Sequence, residues 1–183
     1  VNKIEKFTFA SDAASTDVGD TTVARRQPSG CSSKDHGYCL GGYHSSDYGN
    51  VIDKWSTVSD ANATDVGDLA TARVFAACSS STTHGYAAGG SNENVAGIYL
   101  DHIDKFSFSS DGNASDIANL TRAKGVPGCG VSSTTHGYCA GGKVDPSSSS
   151  VDDIDKYTFA SDANATDVGD LDLSKYNAAG AQY

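Results

Sequence analysis

The chain has 183 residues with 13 basic and 23 acidic side chains, a formal net charge of −10, and 20 glycines, 9 tyrosines and 3 prolines. Leu, Ile, Val and Phe supply only 31 of the 183 residues, a share typical of chains that cannot enclose an oily core. The acidic balance excludes a nucleic-acid or anionic-membrane surface, no apolar run reaches the length of a membrane span, and the opening VNKIEKFTFA lacks the layout of a signal peptide. Methionine is absent even at position 1, which is the expected mark of a processed or excerpted piece of a longer product.

Order is nevertheless written into the chain as internal repetition. Residues 1–20 hold IEKFTF from Ile4 and the acidic turn SDAASTDVGD, read as the third and fourth strands of a partial unit. Residues 21–68 begin with VARRQPSGCSS and HGYCLGG, two strands of small residues joined by a serine-rich turn. They continue through the loop YHSSDYGN, a third strand IDKWST from Ile52, the turn SDANATDVGD and a fourth strand around Val66. Residues 69–119 repeat the series as TARVFAACSSS, HGYAAGG, SNENVAGIYLDH, IDKFSF from Ile103 and SDGNASDIAN, with Ile117 matching Val66. Residues 120–170 repeat it as TRAKGVPGCGVSS, HGYCAGG, KVDPSSSSVDD, IDKYTF from Ile154 and SDANATDVGD, with Val168 matching. Residues 171–183 carry LSKYNAAGAQY, the first strand of a further unit.

The IDK strings are spaced by 48, 51 and 51 residues, too long for the shorter helical and leucine-rich repeats. Alternation at period two reads as half-buried strand, and the Asx- and Ser/Thr-rich stretches read as turns. Each full unit therefore supplies four short antiparallel strands, and no helix is expected. With its doublets Gly41-Gly42, Gly89-Gly90 and Gly141-Gly142 and its basic residues Arg25, Arg73 and Lys124, the unit resembles a kelch repeat, with Val66 and its equivalents where that family carries a tryptophan. The resemblance implies an all-β fold of kelch-like propeller blades, the ring incomplete or closed by another copy. The wording SDANATDVGDL followed by SSTTHGYAAGG also resembles modules of structural and tail-fibre proteins of tailed phages from aquatic environments. That implies assembly or surface recognition on a virion or extracellular appendage, with other copies of the chain, neighbouring assembly proteins or a surface glycan as partners.

Several residues invite a chemical reading. Cys31 and Cys39 flank one serine-rich turn and Cys129 and Cys139 another, so two disulfides are expected, with Cys78 free opposite Ala87 or Ala88; five reduced thiols are the alternative. Asp60, Asn62, Thr64, Asp65 and Asp68, like Asp162, Asn164, Thr166, Asp167 and Asp170, offer oxygens at alternating positions, a calcium candidate against the plainer reading as turns. Asn62, Asn113, Asn119 and Asn164 head glycosylation sequons if the protein is eukaryotic and secreted. The variable loops supply Tyr43, His44, Tyr48, Asn92, Glu93, Asn94, Tyr99, Lys143 and Asp145 as candidate ligand-reading residues.

Catalysis is not expected. His36, His84 and His136 recur once per unit, as residues that tie a hairpin turn do, and Glu5 and Glu93 are the only glutamates. Neither a glycosidase carboxylate pair nor an Asp-box nor a set of copper ligands can be assigned. Beside a least-favoured glycan-acting propeller enzyme, two readings remain: a non-enzymatic structural and assembly protein, and a carbohydrate- or protein-binding propeller.

Overall fold

In a computed structural model, which describes residues 1–94, 98–127, 129–144 and 149–180, the described residues are all β, with no helix and 16 strands in antiparallel sheets. The N-terminal hairpin pairs β1 (Lys3–Lys6) with β2 (Thr16–Asp20). Sheet I contains β3 (Ser29–Ser32) and β4 (His36–Leu40), a small hairpin of β5 (Tyr43–His44) and β6 (Asp47–Tyr48) branches from it, and β7 (Val51–Ser56) and β8 (Thr64–Asp68) complete it. Sheet II is formed by β9 (Ala77–Ser80), β10 (His84–Ala88), β11 (His102–Ser107) and β12 (Ser115–Asn119). Sheet III is formed by β13 (Cys129–Ser132), β14 (His136–Val144), β15 (Ser149–Thr158) and β16 (Thr166–Asp170). Strand order in each four-stranded sheet follows the chain, as short turns between consecutive strands dictate.

The first strands β3, β9 and β13 lie side by side. Small residues permit this approach: a Cβ added at Gly130 would lie 2.6 Å from the Cys78 amide nitrogen. The next strand shows a second use of glycine. Gly37, Gly85 and Gly137 of the HGY strings pair with Trp55, Phe106 and Tyr157 on the third strands, whose rings cover the space where a Cβ would stand.

The apolar residues collect between sheets. Tyr38, Leu40, Ile52 and Leu69 from sheet I and its exit meet Ala87, Phe106 and Ala114 from sheet II. Tyr86, Ala88, Ile103 and Leu120 meet Cys139, Tyr157 and Ala165 in the same way one sheet further on. Tyr38 stacks on Phe108 with ring centroids 5.0 Å apart, and Tyr86 stacks on Phe159 at 4.7 Å; such pairs add about 0.5–1.5 kcal/mol beyond the area they bury. Two seams thus replace one central core.

The expected disulfides do not form. Cys31 pairs with Tyr38 and Cys39 with Gly30; Cys129 pairs with Ala140 and Cys139 with Gly130. Each expected pair is therefore offset by one residue, which sends the two side chains to opposite faces of the sheet, and all five cysteines are free. Burial raises the thiols of Cys78 and Cys139 to about 12 from the ordinary 9.0. An unfolded chain would ionise them near 9 while the folded chain holds their protons, so stability falls as pH rises above 9. Titrating urea stability between pH 8 and 11 should show this fall, and Cys78→Ala with Cys139→Ala should flatten it; a slope unchanged by both substitutions would refute the assignment. At pH 8 the native chain should also yield five thiols only after denaturation, since burial raises the other three as well.

Candidate recognition face and its supports

The second strands β4 and β10 end at a glycine doublet, β14 shifts register at its own, and the chain returns from each through a loop into the third strand. The loops therefore lie at the same end of the sheets as the segments that lead into the first strands. Gly41 and Gly42 take φ of 60° and 103°, which a side chain would resist, and the same pair of conformations recurs at Gly89-Gly90 and Gly141-Gly142. The turn lets the Gly42, Gly90 and Gly142 amides donate to the carbonyls of Arg73, Lys124 and Lys175 at 2.9, 2.9 and 2.8 Å. A Cβ on Gly89 would come within 2.9 Å of the Lys124 oxygen.

Turning the chain this sharply aims carbonyls inward, where they need donors. The basic residues supply them. Arg25 Nη1 donates to the Gly41 and Val51 carbonyls at 2.9 and 3.2 Å, and Arg73 Nη1 to those of Gly89 and His102 at 3.0 and 3.2 Å. Their charges are met by the aspartate of the IDK strings: Arg25 by Asp53, Arg73 Nη2 by Asp104 Oδ2 at 2.9 Å, and Lys124 Nζ by Asp155 Oδ2 and Asp153 Oδ2, both at 2.9 Å. These groups are almost wholly buried. Burial raises the Asp104 carboxyl and lowers the Arg73 guanidinium, each partly opposed by the other's charge. For Lys124 burial pulls down, but Cys139, Asp155 and Asp153 outweigh it and the ammonium is raised. The basic residues were visible in the sequence, but their carboxylate partners were missed; the signal was the aspartate or glutamate fixed between Ile and Lys in every unit.

Above these supports, the structure gathers part of the expected loop set. Tyr43 and Tyr48 meet edge to face at 5.2 Å, with the Arg26 guanidinium 4.5 Å over the Tyr43 ring. His44 pairs with Asp47 across the small hairpin, and Asp47 Oδ1 accepts from Asn94 Nδ2 at 2.7 Å. Burial raises the Tyr48 phenol, which also bonds to Glu93. Asn92 is buried and works as a brace: Nδ2 donates to the Ala72 carbonyl at 2.7 Å and Oδ1 accepts from the Asn94 amide at 2.8 Å. Tyr99 instead covers Gly125, whose amide donates to the Lys143 carbonyl at 2.9 Å, and Lys143 Nζ lies 4.2 Å over Tyr176. Asp145 lies outside the described residues. An open cleft of about 370 Å³ beside Tyr43 and His44 is lined further by Val1, Arg25, Arg26, Ser45 and Ser46. Ser45 and Ser46 hold φ of 47° and 73° without the glycine or asparagine such a hairpin turn prefers.

The acidic turns lie at the opposite end and join one sheet to the next. Lys6 pairs with Asp60, Lys54 Nζ with Asp111 Oδ1 at 2.7 Å, and Lys105 Nζ with Asp162 Oδ1 at 2.6 Å. Asn62, Asn113 and Asn164 each accept through Oδ1, at 3.0 Å, from the amides of Asp20, Asp68 and Asn119. Behind them the amides of Ala63, Ala114 and Ala165 donate to the carbonyls of those same three residues at 2.8, 2.7 and 2.8 Å. Asp65 and Asp167 accept at Oδ1 from the Gly67 and Gly169 amides at 3.1 Å. These oxygens are thus engaged in seam and turn contacts, and no three His, Cys, Asp or Glu residues gather as metal ligands among the described residues. Asn62, Asn113 and Asn164, expected as sequons, are thus seam residues, and Asn119 takes part through its backbone. The serine-rich turns are tied by serine rather than by imidazole, with the amides of His36, His84 and His136 donating to Ser33, Ser81 and Ser133 Oγ at 3.2, 3.0 and 3.1 Å. The His84 and His136 rings bond to the neighbouring Thr83 and Thr135 hydroxyls, at 2.8 Å.

No family model matches this sequence, and no curated protein is similar to it. What the site can do rests on its geometry: a rim of tyrosine, histidine, asparagine and arginine suited to contact, standing on a buried ionic layer suited to rigidity.

Removing Asp104 alone would leave Arg73 buried and uncompensated, at a cost of about 3–5 kcal/mol. Urea denaturation of Asp104→Ala should show that loss, and Arg73→Met with Asp104→Leu should recover much of it; equal stability of the single variant and the parent would refute the role given to the pair. In the strained hairpin, Ser46→Gly should raise stability by about 0.5–1 kcal/mol by relieving a left-handed conformation, and a lowered denaturation midpoint would contradict this.

Proposed function

We propose that the chain is a non-enzymatic structural and assembly element, a kelch-like propeller segment of a virion tail or fibre or another extracellular appendage. The observation that carries the reading is the seam: the same lysine–aspartate, asparagine–amide and tyrosine–phenylalanine contacts join the N-terminal hairpin or one sheet to the next, with a fixed direction. A surface built to receive its own kind extends by adding further units. The histidines support it too, since each sits at an equivalent turn beside its own threonine or aspartate rather than at one reaction centre.

A second reading has its own support. The cluster of Tyr43, His44, Tyr48, Glu93 and Asn94 offers aromatic faces beside amide and carboxylate groups on a braced loop, the chemistry by which a carbohydrate or a protein surface is read. The readings separate in one experiment on the purified chain. Negative-stain imaging across a concentration series should show ordered oligomers of constant width, with no turnover of polysaccharides. A chain that stays monomeric and binds a glycan saturably, with binding lost in Tyr43→Ala and Tyr48→Ala, would overturn the assembly reading in favour of recognition.

A further inference from the structure

The seam contacts are directional, and both ends of the array expose an unmatched half. On sheet III, Lys156 has no carboxylate within ion-pair distance among the described residues, whereas its counterparts Lys6, Lys54 and Lys105 are paired with Asp60, Asp111 and Asp162. Tyr138 is half-buried, while Tyr38 and Tyr86, capped by aromatic rings of the following sheet, are 2% and 1% exposed. The whole of β16 is exposed, Val168 at 47%, where Val66 and Ile117 are packed into a seam.

The N-terminal hairpin exposes the complementary set. Asp12 occupies the place of Asp60, Asp111 and Asp162 and has no basic partner among the described residues. Phe7 and Phe9 occupy the places of Phe106 and Phe108 and are 61% and 96% exposed. Their rings meet edge to face at 5.3 Å and 83°, close to the 5.7 Å and 78° of Phe106 with Phe108, which grip Tyr38. The aromatic clamp is thus already set without a tyrosine to hold. All of these groups lie in the connection between β1 and β2, so the hairpin carries the receiving half of a seam by itself.

We infer that the N-terminal hairpin of one copy docks on the open face of sheet III of a second copy, pairing Asp12 with Lys156 and seating Phe7 and Phe9 on Tyr138. This rests on the assembly reading and names its contact. The contact is heterologous, so repetition makes rings or filaments according to the rotation. It is also weaker than an internal seam for a readable reason. Ala14 stands where Asn62, Asn113 and Asn164 accept a backbone amide, so the Asp170 amide is left without that bond.

Sedimentation velocity of the 183-residue chain over a wide concentration range tests the inference. The chain should associate reversibly, and Ala14→Asn should tighten association about two- to tenfold, the worth of one net hydrogen bond. Phe9→Ala, whose side chain is 96% exposed in the single chain, should weaken it about tenfold or more, as truncating an aromatic anchor does. Lys156→Glu should weaken it a few-fold, and adding Asp12→Lys to that variant should restore it. A monomer at every concentration, for the parent and Ala14→Asn alike, would overturn the docking. Association indifferent to all of these substitutions would also overturn it while leaving the assembly reading intact, whereas a monomer that binds a glycan through Tyr43 would sink the assembly reading itself.

Discussion

Scarcity of apolar volume is the constraint from which the rest of this structure follows. With only 31 Leu, Ile, Val and Phe in 183 residues, no sheet can present a broad oily face, so burial has to come from thin layers between neighbouring sheets. Alanine and glycine are then an advantage, because they let β3, β9 and β13 run side by side and let each third-strand aromatic lie over the glycine opposite it. A thin seam gains little from any one side chain, about 1.5–3 kcal/mol for a buried Leu or Phe. Its specificity therefore comes from polar contacts that recur at the same register.

The buried ionic layer makes sense in that light. A glycine doublet turns the chain within two residues, and the turned carbonyls need donors that water cannot supply. Each arginine bonds one doublet carbonyl and one third-strand carbonyl, Lys124 bonds a third-strand carbonyl, and the aspartate of the third strand neutralises the charge. The doublet, the basic residue and the aspartate therefore form one device, although they are about 16 and 30 residues apart in sequence. Buried ion pairs contribute little net stability, but each fixes one arrangement of loop and strand. The loop face rests on that fixed layer.

Much of this could be read in the sequence, and what escaped did so for identifiable reasons. The all-β character and the antiparallel pairing of short strands were legible because period-two alternation and Asx-rich turns are local signals. The cysteine pairing failed because flanking a turn does not set register, and a displacement of one residue reverses the face of the sheet. The acidic turns looked like metal ligands because oxygen-rich composition is shared by calcium loops and by turns that hold a neighbouring sheet. Only the placement of Lys6, Lys54 and Lys105 opposite them distinguishes the two. Within the loops, the contact of Asp47 with Asn94 and of Tyr48 with Glu93 joins residues more than 40 positions apart, and no local pattern announces it.

Directionality is the property that links the internal architecture to what lies outside it. A sheet whose two faces were alike could pair with either neighbour and would stack without order. Here one face offers lysine and tyrosine and the other offers aspartate and a phenylalanine pair, so the contact is satisfied in only one sense. The loops then point to one end of every sheet and the serine-rich turns to the other, because each unit must repeat the orientation of the one before. The loop face and the seam faces are in this way kept on different sides of the same sheets. Substitutions in Tyr43 or Asn94 need not disturb a seam, and substitutions in Asp111 or Phe108 need not disturb the loops, so the two kinds of contact are free to change independently.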